Sequence, residues 1–142
     1  MQNTKNRILK FNIFFIKILF LFFVYTYVNA DSNTIQDGGT ETDQQNIDGD
    51  GEFLTVKSSS TLATGATTKA ANVTGDSVTV TVESGSTISA NTVAVFGDTT
   101  SDLTVTNTGT ITASGTTAID AKATANATIT NNSGGTISSN RN

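Results

Sequence analysis

One phrase recurs four times in this chain: a hydrophobic residue, a small polar turn, then Thr-Leu or Thr-Ile. Its copies run from Val56 to Leu62, Val82 to Ile88, Val105 to Ile111 and Ile129 to Ile137. The leading residues lie 26, 23 and 24 positions apart. Self-similarity at such a period marks a stacked repeat, in which each unit buries its apolar face against the next. Hairpin architectures fit poorly, because they join sequence neighbours through tight turns. Here the strands that resemble each other lie a whole repeat apart.

Each repeat holds about three short strands, by the strict alternation of β-branched and polar residues. The clearest run is Val78-Thr-Val-Thr-Val82, followed by Leu103-Thr-Val105 and Ala127-Thr-Ile129. The first strand ends at Val56, Val82, Val105 or Ile129, and the second is centred on Leu62, Ile88, Ile111 or Ile137. The third carries Ala71 with Val73, Ala94-Val95 and Ala118-Ile119. Thr, Ser, Asn, Gly and Val dominate, and nothing recurs at the helical period. The expected fold is therefore all-β: a parallel β-helix, or solenoid, with coils of about 24 residues, each strand pairing in parallel one turn later. Ser58, Ser84, Asn107 and Asn131 are expected in register at one corner, bonding up the ladder. Glycines 85, 109, 134 and 135 would supply positive φ there, and the corner of the last repeat would absorb its two extra residues. A low-complexity linker and a β-sandwich are the competing readings.

Charge divides the chain. The first thirty residues hold Lys5, Arg7, Lys10 and Lys17 and no acid. The remainder carries four cations against twelve acids, a net charge of −8. That balance argues against nucleic acid or an anionic membrane as a partner. Residues 1–30 read as a signal peptide: a basic n-region, an apolar run to Val28, and a small-x-small site that places cleavage between Ala30 and Asp31. Such a peptide would contact the inner membrane only. An uncleaved anchor is the alternative, although the uncharged stretch Ile18 to Val28 is short for a bilayer span.

Residues 31–52 are acidic and nearly free of large apolar side chains, so they read as a disordered acidic leader or a loose cap. Residues 53–142 form the repeat region. It stops just after a strand without a polar cap, which reads as a truncated product. Within the leader, Asp48, Asp50 and Glu52 have the oxygen spacing of the first half of a calcium loop. The loop would start at Asn46, and its twelfth position is Lys57 where a bidentate Glu belongs. They are weak metal candidates, and a flexible acidic turn is the plainer reading. The part after Ala30 contains no Cys or His, so the usual nucleophile–base pairs are missing. Acid pairs such as Asp98 with Asp102 and Asp76 with Glu83 sit among Gly and Thr as turn residues. The expectation is a non-enzyme without a cofactor.

Leu103-Thr-Val-Thr-Asn-Thr-Gly-Thr-Ile-Thr-Ala-Ser-Gly-Thr-Thr-Ala-Ile119 and Ala127-Thr-Ile-Thr-Asn-Asn-Ser-Gly-Gly-Thr-Ile-Ser138 resemble the repeats of Gram-negative autotransporter passengers. Filamentous-haemagglutinin-like proteins share the same grammar. The resemblance covers residues 53–142 and the signal. It implies a right-handed β-helix, exported and displayed at the cell surface or released, with an adhesin-like, distributed mode of binding. It also implies an outer-membrane β-barrel translocator, in cis in a longer chain or otherwise in trans as in two-partner secretion, and a host-surface or polysaccharide ligand. A carbohydrate-active β-helix enzyme is the alternative from another class.

Overall fold

A computed structural model describes residues 33–65, 68–98, 102–121 and 126–140. The proposed signal peptide and its cleavage site lie outside the described residues. The strands, in chain order, are β1 (Asn33–Ile35), β2 (Thr40–Glu41), β3 (Gln45–Ile47), β4 (Phe53–Val56), β5 (Thr61–Ala63), β6 (Ala71–Val73) and β7 (Val78–Val82). They continue with β8 (Thr87–Ala90), β9 (Val93–Gly97), β10 (Asp102–Asn107), β11 (Thr110–Ala113), β12 (Thr117–Asp120), β13 (Asn126–Asn131) and β14 (Thr136–Ser139).

Every third strand pairs, always in parallel, so the chain winds as a β-solenoid. The first sheet has the order β1-β4-β7-β10-β13, the second β2-β5-β8-β11-β14, and the third β3-β6-β9-β12. The three-strand coil and its parallel stacking are those expected from the repeat. Alternation sends Val, Ile, Leu and Ala inward and Thr outward along each strand. The inward residues form continuous columns: Leu54, Val80 and Val105 stack in the first sheet, and Leu62, Ile88 and Ile111 in the second. All six are buried, with Ile47, Val73 and Val95 filling the third side.

Residues 33–47 are not a disordered leader. They supply one strand to each sheet and make the first coil of the solenoid, with Ile47 fully buried and Ile35 nearly so. The segment contributes only these two large apolar side chains, too few to fold alone. The second coil provides the missing wall, and its strand edges satisfy the first coil's backbone: Lys57 N donates to Ile35 O at 3.0 Å and Thr74 N to Ile47 O at 2.8 Å.

The register departs from the phrase alignment at one place. Val56 stacks on Val82 as expected, but Val82 meets Asn107, and Val105 meets Val80. Asn107 thus leaves the corner predicted for it beside Ser58 and Ser84 and enters the core column, where it is fully buried. Matching whole strands decides this, because Val78, Val80 and Val82 then face Leu103, Val105 and Asn107. A shift of two residues keeps every side chain on its own face, so alternation alone cannot detect it. It follows that the fourth corner, Asn107 to Ile111, is two residues shorter than the others, whereas the last one, Asn131 to Ile137, has the ordinary length.

The corner residues are corrected with it. Ser59, Gly85 and Gly134 share one corner position and all have positive φ, of 60°, 75° and 90°. The short fourth corner omits that position. Gly109 and Gly135 do another job, lying where a side chain has no room: a Cβ on Gly109 would sit 2.4 Å from both Glu83 O and Ser86 O.

Candidate binding surfaces

The short corner is held by an asparagine side chain. Asn107 Oδ1 accepts from Gly109 N (3.2 Å), and its Nδ2 donates to Gly109 O (3.3 Å) and Thr136 O (3.1 Å). The same Nδ2 reaches Asn131 Oδ1 at 2.8 Å, which ties the fourth coil to the fifth. A buried amide is tolerated in an aliphatic column because its hydrogen-bonding groups are occupied. At two of the ordinary corners the serine before the strand serves instead: Ser60 Oγ donates to Gln36 O and Ser86 Oγ to Glu83 O.

One ion pair bridges two coils at this edge. Lys57 Nζ lies 2.9 Å from Glu83 Oε1, and Glu83 Oε2 accepts from the backbone and hydroxyl of Ser58. The Lys57 hydrogen bond holds the Glu83 carboxyl below its ordinary value, and the reciprocal bond raises Lys57. Both groups are solvated, so the pair orients the corner more than it stabilises it.

The outer faces of the three sheets differ. On the first, threonine fills two adjacent columns. Thr34, Thr55, Thr81, Thr106 and Thr130 stack one on another through all five strands. Beside them Thr79, Thr104 and Thr128 continue a column that begins at the exposed Phe53. On the second face one column is threonine from Thr40 to Thr136, but its neighbour mixes Ala63, Ser89, Thr112 and Ser138. The third face stacks Asn46, Asn72, Phe96 and Asp120, with Lys69 Nζ over the Phe96 ring (3.2 Å to its centroid) and bonded to Asn72 Oδ1.

A shallow cleft of about 410 Å³ runs along the corner after the second sheet, lined by Thr64, Ser89, Asn91, Thr112, Ser114 and Asn140 among others. The Thr64 hydroxyl is buried there without a hydrogen-bond partner.

Two of the weak metal candidates are engaged by backbone amides, Glu52 within its own loop and Asp50 from the next coil. Glu52 is buried and accepts from Gly49 N at 2.9 Å, and Asp50 accepts from Asp76 N at 3.2 Å. Among the described residues no three His, Cys, Asp or Glu side chains gather in a way that could hold a metal ion. Of the acid pairs, Glu83 is taken by Lys57, and Asp102 accepts from Asn126 Nδ2 at 2.7 Å. What the sequence reading missed was the buried role of Asn107. Its only signal was the shortened interval before the third phrase.

No family model matches the chain, and no curated protein or solved structure matches it.

Proposed function

We propose that this chain is an exported, surface-displayed structural repeat protein, adhesin-like and non-catalytic, whose binding is spread along the outside of the solenoid. The observation that carries the reading is the side-chain chemistry of the outer faces. Hydroxyls and amides recur in register from coil to coil, so any contact made by one rung is offered again by the next. Repetition of weak contacts on a rigid scaffold raises avidity without a deep pocket. The signal-like residues 1–30 support export, and the resemblance to autotransporter passengers supports surface display. Under this reading a host-surface or polysaccharide ligand lies across the rungs. The partner in transport is an outer-membrane β-barrel, either part of a longer chain or a separate protein.

The test is surface protease accessibility in a Gram-negative host carrying the gene in its natural context. The full protein should be cleaved on intact cells, or recovered from the medium, and deletion of residues 1–30 should hold it in the cytoplasm. Cytoplasmic retention of the undeleted protein contradicts the proposal.

A further inference from the structure

We infer that the threonine face of the first sheet is a binding surface for crystalline ice. The inference goes beyond the reading above and is independent of export, because it uses only the geometry of one sheet.

Parallel in-register stacking fixes the distances. Neighbouring strands lie about 4.8 Å apart, and residues i and i+2 on one parallel strand about 6.6 Å apart. The paired columns containing Thr79 and Thr81, Thr104 and Thr106, and Thr128 and Thr130 therefore form a near-rectangular net of hydroxyls with those two spacings. Oxygen rows on a prism face of hexagonal ice repeat at closely similar distances in two perpendicular directions. Water bound to this net would therefore be spaced close to the repeat of the crystal. The longer column extends across five strands, roughly 19 Å at that strand spacing.

Three further observations support the assignment. Threonine is β-branched and stiff at χ1, so a column can repeat one hydroxyl and one methyl orientation with little entropy left to lose. Neither column contains a charged side chain, and Asp102, on the same face as Thr104, stands outside both columns at the margin of the net. Among the described residues, the hydroxyls of Thr55, Thr79, Thr81, Thr104 and Thr106 take no protein partner, so their bonding capacity is available to water.

The plain alternative is that threonine is a good solvent-facing β residue. The other two sheets serve as internal controls against it. The same solvent and the same backbone geometry apply there, yet the second face mixes Ala, Ser and Thr in one column, and the third uses Asn, Phe and Asp. Solvation alone does not require one residue in both columns of one face only.

The experiment measures thermal hysteresis and the partition of labelled full-length protein into a growing ice hemisphere, with circular dichroism recorded on every sample. The folded wild type should hold a freezing gap, facet the crystals and enter the ice. Thr106→Tyr, at the centre of the net, should remove most of the gap, and Thr87→Tyr on the second sheet should leave it intact. Thr81→Val with Thr106→Val keeps the shape while deleting hydroxyls, and serves should the tyrosine variant fail to fold. A folded wild type that shows no hysteresis and is excluded from ice overturns the inference. Equal loss in Thr106→Tyr and Thr87→Tyr, with unchanged dichroism, overturns the assignment to the first sheet.

Discussion

The first and last coils of the described residues differ in the chemistry they present at their outer edges. In the first, the core column of the second sheet finishes on Glu41, which pairs with Leu62 at an inward position. Its carboxylate accepts from Thr42 N and Asp43 N at 3.1 and 3.2 Å, so the charge is hydrogen-bonded at the rim. An inward-pointing charge on a very short edge strand blunts that edge against further pairing. In the last coil that second-sheet column carries Ile137, and the first sheet's core column ends on Ile129, which is 46 % exposed. Here the longer strand β13 lies along the outside of β10. A coil of this protein is thus buried only where a neighbour covers it. The segment poorest in apolar residues is nonetheless ordered, because it rests on a full coil.

The largest expected effect tests that dependence directly. Val80→Asp places an unpaired charge in a column covered on both sides, a penalty of several kcal/mol, comparable to the whole stability of a small domain. Its β-sheet circular dichroism should be lost at room temperature. Ile129→Asp, an identical change in kind, should leave the spectrum intact, and equal damage from both would break the comparison. A second contrast sets the two ends against each other by denaturant unfolding. Ile47→Ala in the first coil should cost about 2–4 kcal/mol, as for a fully buried aliphatic. Ile137→Ala in the last coil should cost less than half as much. A negligible cost for Ile47→Ala would return residues 33–47 to the status of a loose leader.

A smaller effect is expected at the short corner. Asn107→Ala strands the amide of Gly109 and should cost about 1–3 kcal/mol, the penalty of an unsatisfied buried group. Asn131→Ala, on the exposed last coil, should cost less. The smallest effect is electrostatic. The Glu83 carboxyl is held below its ordinary value in the folded chain. Its contribution is therefore present above the unfolded carboxylate value and is lost as pH falls through the folded one. Lys57 is shifted upward, so its contribution holds below its ordinary value and fades as pH rises through the raised one. Glu83→Gln should lower the melting temperature slightly at neutral pH, and the difference from wild type should vanish on acidification. A difference that grows with falling pH would contradict this pairing.

The alternating run from Val78 to Val82, the period and the Thr-Ile phrase determined the solenoid, its three strands per coil and the inward set. All are local patterns repeated at an interval, and parallel pairing follows once equivalent strands lie a full turn apart. Three features were settled only in the folded structure. The order of residues 33–47 depends on a neighbouring coil, a contact that no property of that segment's own sequence reports. The register of Asn107 is degenerate in sequence, because a slip of two residues preserves every face. The threonine net also required the tertiary structure. A Thr-x-Thr pair is ordinary in any strand, and it becomes a two-dimensional array only when strands a full coil apart stack in register.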